Sequence, residues 1–417
     1  MKPIFAPDLT RAWGVPLLIA ACIVLLPLGR SVELPMAVMA ITGLVWLVRR
    51  PGTILGQTEF KLFMGLFACL WLPMALASFD AIHRPRAVET TLVFLRFLFM
   101  GACMLYWLRA PQTRTRVTAI VGVALAFWVL DGLVQALRGV NLFGQPMIDG
   151  QLTGVFHPKQ TMGMVLATLT PVFLLWLGPL ARRRPVLWLL VPAYAVVILL
   201  TGKRAAWLLS AIALVMVAVW ALRSSSAKRR HLWAAGLAVC VLVGGLAWQS
   251  PHFQAKWQVT TGLFSADAAK ADAATSYRLT IWRVGVRMFE DHWVNGIGPR
   301  SFRNLYPDYA QEGDLFMQLN PHSGPTHPHQ ITLEIAVESG VIGLAGFALL
   351  WGWIVREWLR AWRVQATAYL AWLTAAALAL FPLNAANALY DAFWSGVSFW
   401  LLLMALAHRP PPAAHDA

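Results

Sequence analysis

Apolar stretches long enough to cross a bilayer as helices recur along nearly the whole 417-residue chain, and a chain that must bury so many of them has few architectures open to it. A spanning helix takes roughly 17 to 25 predominantly apolar residues, because lipid offers no hydrogen-bond partner to a free backbone N–H or C=O. About twelve such stretches stand out by that measure, at 13–29, 33–48, 62–79, 89–108, 117–137, 160–179, 185–201, 205–222, 231–248, 329–355, 366–384 and 387–407. Composition agrees, since 59% of residues are hydrophobic and only 13% charged, far from a soluble domain. The sequence predicts an all-α polytopic membrane protein. The stretch at 13–29 follows Lys2 and Arg11 as a signal peptide would, but no small-residue cleavage site follows it cleanly before Arg30. It is therefore read as an uncleaved first helix.

Orientation follows from the basic residues, which short cytoplasmic loops retain. With the N-terminus inside, the inner loops hold Arg49, Arg50 and Lys61; Arg109, Arg114 and Arg116; Arg182, Arg183 and Arg184; Arg223, Lys228, Arg229 and Arg230; and Arg356, Arg360 and Arg363. Both termini are then expected in the cytoplasm. The net charge of +15 is thus mostly a topology signal, with attraction to anionic headgroups. A nucleic-acid partner would need a soluble basic domain that the chain lacks. Cys22, Cys69, Cys103 and Cys240 all lie in predicted spans without a CxxC pair, so they read as packing residues and no disulfide framework is expected.

One segment departs from the alternation of short loops. Residues 249–328 mix Pro, Gly, charge and aromatics outside the membrane, and loops of that length usually carry function. The chain is accordingly divided into helices one to nine (1–248), a helical periplasmic loop domain (249–328), and helices ten to twelve with a cytoplasmic tail (329–417). Within the loop, SYRLTIWRVGVRMFEDHW at 276–293 has apolar residues near helical spacing, predicting an amphipathic helix at the membrane surface. The turn NGIGP at 295–299 ends it. Arg283 and Arg287 suit either a lid snorkelling to headgroups or a functional face. Arg278 lies on a different face, and its planar fork suits a specific phosphate.

Ionisable residues inside spans are costly and face a cavity or a partner. Arg96, Asp131, Arg204, Glu334, Glu338 and Asp391 all fall in the outer halves of predicted helices or near the bilayer middle. Two readings stand: a polar cavity open to the outside, or structural ion pairs. TGKR at 201–204 places Lys203 and Arg204 in a short outer loop, against the positive-inside bias, which calls for a compensating anion.

HPHQITLEIAVESGVIG at 327–343 begins a hydrophobic helix at two imidazoles. On a helix from His329 onward, Glu334 and Glu338 share a face and His329 points roughly the other way. Gly340 and Gly343 offer a smooth patch to a neighbouring helix. No nearby cysteine or acidic cluster completes a ligand set for the two histidines, so no metal site is expected. His329 is either an interfacial polar residue or a general base near neutral pH.

The stretch His329–Gln330, nine residues, then Gly340–Val341–Ile342–Gly343 resembles the signature of the O-antigen ligase family. TGKRAAWL (201–208), RLTIW (278–282), GIGPRSF (296–302) and GVFHPKQTMGMVLA (154–167) resemble the wider O-antigen ligase and polymerase superfamily. The resemblance spans roughly residues 150–350. It implies a multi-pass inner-membrane enzyme of a bacterium, its active site facing the periplasm. Such an enzyme transfers O-antigen polysaccharide from undecaprenyl diphosphate to a sugar hydroxyl of lipid A-core. Residue by residue, the resemblance implies His329 as catalytic and Arg204 and Arg278 on the donor diphosphate. Lys203, Lys159, Arg300 and His327 are secondary candidates. Lys203 stands where a serine is common and Arg300 where a small residue is, so neither inherits a role. The implied transfer is inverting and metal-independent and needs no cofactor; its partners are the lipid-linked donor, lipid A-core and membrane lipids. Two alternatives remain: an O-antigen polymerase or protein O-oligosaccharyltransferase of the same superfamily, and a transporter of an anionic lipid or solute. No internal repeat of the transporter kind is evident.

Overall fold

A chain dominated by apolar runs can satisfy its backbone inside lipid only by coiling it, and every regular element described is a helix. The computed structural model describes residues 13–223, 244–245, 248–249, 251–262 and 267–411. In chain order the principal helices are α1 (Gly14–Val24), α2 (Glu33–Arg49), α3 (Thr58–Ala77), α4 (Arg84–Trp107), α5 (Pro111–Arg138), α6 (Met162–Arg183), α7 (Leu190–Leu200), α8 (Arg204–Arg223), α9 (Pro251–Thr261), α10 (Ala268–Ala274), α11 (Arg278–Asp291), α12 (Phe302–Tyr309), α13 (Ile331–Arg363), α14 (Thr367–Ala379) and α15 (Ala392–Ala407).

Among the described residues, six helices are long and apolar enough to cross a membrane: Leu26–Arg49, α3, α4, α5, α6 and α13. Five shorter apolar helices accompany them, at Gly14–Val24, Pro185–Leu200, Arg204–Val219, Thr367–Ala379 and Ala392–Ala407. Most of the expected span 231–248, with Cys240, lies outside the described residues. So do Lys2, Arg11 and the basic group Lys228, Arg229 and Arg230. The first helix is shorter than expected because Pro27 and Gly29 turn the chain into a 3₁₀ segment, Leu26–Val32, before α2. The tenth expected span runs on to Arg363.

Helix association in lipid rests on close packing of small and aromatic side chains. Phe399 of α15 stacks on Phe97 of α4 at 5.3 Å and meets Phe94 of α4 edge-on at 5.5 Å. Gly346 lets α13 touch α3, since a Cβ there would stand 1.9 Å from the Cys69 carbonyl oxygen.

The bundle has two chemically different ends. At one, Arg49 and Arg50 close α2, Arg182 and Arg183 close α6, and Arg360 and Arg363 close α13. Glu357, buried there, accepts from Arg409 Nε at 2.8 Å and from the Tyr369 hydroxyl at 3.0 Å, with Arg360 at 3.7 Å. The other end gathers the α3–α4, α5–α6, α7–α8 and α14–α15 connections and the start of α13. Ile82 N–H donates to Ile297 O at 3.0 Å, Leu152 N–H to Leu200 O at 3.1 Å, and Ile331 N–H to Asn384 O at 3.1 Å.

α13 is interrupted at Gly340, where φ is +62° and ψ −160°, a combination essentially reserved for glycine. The sequence reading gave Gly340 to a neighbouring helix; its neighbour is instead the loop after α11. Ile297 N–H donates to Val337 O at 2.9 Å and Gly298 N–H to Glu338 O at 3.2 Å. Val341 N–H donates to Trp293 O at 2.8 Å and Ile342 N–H to Val294 O at 3.4 Å. Backbone groups freed by the break, which would each cost several kcal/mol in lipid, are satisfied by a segment 40 to 48 residues upstream. A side chain at 340 would meet Val294 O at 2.2 Å. Gly340→Val is expected to lower stability by about 3 kcal/mol or more, seen as a lower melting temperature of the detergent-solubilised protein. A wild-type melting temperature would contradict the splice.

Candidate active site

The expected amphipathic helix forms as α11. It starts at Arg278 because Ser276 and Tyr277 both adopt left-handed backbone, with φ of +60° and +59°. Asp272 holds this turn, accepting from the Thr280 hydroxyl and from Thr280 N–H at 3.3 Å. Arg204, the first residue of α8, reaches the same turn. Its guanidinium donates to the Ala274 carbonyl, to Ser276 Oγ at 2.9 Å and to Thr260 Oγ1 at 3.3 Å.

Arg278 itself makes no hydrogen bond or ion pair among the described residues, although it is half-buried. Burial and then the nearby charge of Arg204 lower its pKa from the ordinary arginine value, yet a guanidinium stays protonated under all ordinary conditions. Two cations therefore stand together at this end of the bundle, one committed to protein acceptors and the other not.

The histidine motif is held by its neighbours. Trp282 Nε1 of α11 donates to Pro328 O at 3.0 Å. Gln330 caps α13 by accepting from Leu333 N–H, and it donates to Pro382 O at 3.1 Å. Between these anchors His329 takes φ of +54°, a left-handed conformation uncommon for non-glycine residues. The rings of His327 and His329 lie 4.0 Å apart. Burial first, and the charge of Arg278 second, push His329 down to about 4. His327 is pushed down to about 3 by burial, His329, Arg300 and Arg278 in that order. Both imidazoles are neutral at neutral pH and can accept a proton.

Arg300 is brought to the pair by the splice. Its N–H donates to Glu338 Oε2 at 2.7 Å, its backbone is left-handed at φ +63°, and its guanidinium lies 3.6 Å from Asp391 Oδ2. The two lysines stand apart from the charges that bear on the histidines. Lys203 Nζ donates to Gln160 Oε1 at 2.6 Å. Lys159 lies beside Gly29, its Nζ 3.1 Å from where a Cβ would sit.

Most remaining intramembrane charges have structural partners. Arg96 pairs with Glu33 at 2.8 Å. Asp131 accepts from Leu142 N–H at 2.9 Å. Glu334 accepts from Leu389 N–H at 2.6 Å and Tyr390 N–H at 3.1 Å, so neither glutamate of the motif serves His329. Among the described residues, no three His, Cys, Asp or Glu side chains converge as a metal-ligand group.

Sequence reasoning left Asp391 without a role and could not anticipate its pairing with Arg300. It also missed the backbone signature. Six described non-glycine residues have positive φ: Asp149, Ser276, Tyr277, Arg300, His329 and Gln365. Four of these flank or form the site, which is where strained backbone concentrates when geometry serves function.

Residues 185–348 match the family model described as O-Antigen ligase. That segment begins before α7 and ends inside α13, so it takes in Arg204, Arg278, Arg300, His327 and His329. No curated protein is matched by the chain.

Proposed function

Since residues 185–348 carry an O-antigen ligase domain, we propose that the chain is a membrane glycosyltransferase moving O-antigen polysaccharide from undecaprenyl diphosphate to a sugar hydroxyl of lipid A-core. The observation that carries the reading is Arg278, a half-buried guanidinium without a partner among the described residues, acting on Arg204 on one side and on His329 on the other. A diphosphate supplies the missing anion in the geometry that an arginine fork prefers.

In this reading Arg278 contacts the diphosphate, while Arg204 holds the Ser276 turn that aims Arg278 and adds its charge. His329 takes the proton of the acceptor hydroxyl as that oxygen attacks the anomeric carbon with inversion. The bond to the diphosphate breaks, and undecaprenyl diphosphate leaves with the electron pair. The growing charge on the leaving group meets fixed cations already in place. An anion on Arg278 also offsets the charge that depresses His329, so donor binding strengthens the base. Arg300 borders the pair, its charge bearing on His327 while its guanidinium lies 3.6 Å from Asp391 Oδ2.

The arginine-rich end would face the cytoplasm, as the positive-inside bias favours, and the site would face the periplasm of a bacterial inner membrane. Residues 1–248 and 329–417 would form the membrane body, with 249–328 as the loop domain over the site. The polyprenyl tail would lie among the apolar helices.

The test is reconstitution of the purified protein with a donor on undecaprenyl diphosphate and with lipid A-core, with and without chelator and without nucleotide. Ligated product in both arms is expected. Movement of donor across the bilayer with no new glycosidic bond would overturn the reading in favour of a transporter. Replacing lipid A-core by a second lipid-linked glycan, or by a peptide, separates ligase from polymerase and from protein glycosylation.

A further inference from the structure

A base that accepts a proton in a closed site must lose it before the next turnover. When donor and acceptor occupy the side of His329 that faces Arg278, bulk water is displaced from that side, and the exit has to run through the other ring nitrogen. Nδ1 of His329 is buried without a hydrogen-bond partner among the described residues, and so is Nε2 of His327. The two rings stand 4.0 Å apart at 46°. On its far side His327 Nδ1 lies 3.0 Å from Thr326 Oγ1, and Thr326 is exposed.

We propose that His327 is a proton relay for His329, joining the base to solvent through Thr326. The inference rests on the reading of His329 as the base. Neutral His327 carries its proton on Nδ1, donated to Thr326 Oγ1, which leaves Nε2 as an acceptor. Neutral His329 carries its proton on Nδ1, which leaves Nε2 for the substrate hydroxyl. As the acceptor oxygen bonds to the anomeric carbon and the bond to diphosphate breaks, the hydroxyl proton moves to His329 Nε2. The two nitrogens are not hydrogen-bonded to each other at rest. A tilt of the rings out of their 4.0 Å contact brings the His329 Nδ1 proton to His327 Nε2, and the His327 Nδ1 proton leaves by Thr326 to water. Atoms and charge balance: one glycosidic bond forms, one breaks, the diphosphate keeps the electron pair, and one proton reaches solvent. Each histidine ends neutral with the other tautomer and resets by ring rotation or by exchange with water. Trp282, which donates to Pro328 O between the two histidines, fixes the spacing.

The experiment is steady-state transfer by reconstituted His327→Gln and His327→Ala proteins, read as kcat and donor KM separately. A relay predicts kcat lower by on the order of 10-fold or more, within the range of positioned proton transfer. It also predicts an unchanged donor KM and partial recovery of kcat with added imidazole. An unchanged kcat, or a loss confined to donor KM that imidazole does not repair, would show that His327 only shapes the site. Those outcomes leave the base assignment intact, because that assignment stands or falls on His329 variants alone.

Discussion

His329→Asn is expected to lower kcat by about 10²–10⁴, the usual contribution of a positioned general base, with the melting temperature near wild type. Asparagine is the informative replacement because it tolerates left-handed backbone, which His329 occupies at φ +54°. Loss of activity then reports the imidazole and not a strained turn. The wild-type pH profile gives a second readout. His329 is held down to about 4 by burial and by Arg278, with His327 as the other titratable neighbour and Arg300 beyond it. The neutral, competent form exists above that value and is lost below it. The acid limb of kcat/KM, which reports free enzyme, should therefore fall near pH 4. In the donor complex the diphosphate offsets Arg278, the base rises, and the acid limb of kcat should lie at higher pH. His329→Asn protein transferring polymer at the wild-type rate would end the base assignment.

Arg278→Gln should lower kcat/KM by about 10²–10³, the scale for removing one preorganised group that stabilises developing charge. Arg278→Lys should recover only part of this, since a lysine keeps the charge but not the fork. The glutamine variant should also shift the acid limb of kcat/KM upward from about 4, because the second cause of the His329 depression has been removed. A merely structural arginine would not move that limb. Normal donor turnover with an unmoved limb would argue against Arg278 as the diphosphate contact.

How much of this was legible beforehand depended on the range of the interactions involved. α11 was readable because amphipathic spacing is local, although the expected stretch 276–293 begins two residues before the helix does at Arg278. Apolar runs located the six long apolar helices to within about eight residues, failing where Pro27 and Gly29 shortened the first helix, and the expected twelve spans are not reached among the described residues. The resemblance names Arg278 and His329 separately, and the charge of Arg278 bears on both histidines. Arg300 with Asp391, Arg204 with the Ala274 carbonyl, and the seat of Gly340 on Val294 were not legible. Each joins residues far apart in the chain through backbone or single side-chain contacts that carry no periodicity. Gly340 shows this well, since its spacing from Gly343 suits a helix crossing while its φ of +62° serves a loop.

That loop gives the chain a constraint of a different kind. The rungs between 293–298 and 337–342 make the loop after α11 part of the hydrogen-bond ladder of a buried helix. The two cannot be exchanged separately. A chimera that grafts a relative's loop onto this bundle would join a foreign half of the splice to a native one, with mismatched backbone groups stranded beside the site. Swaps made to change the acceptor should therefore be cut so that residues 293–342 travel as one block, histidines included.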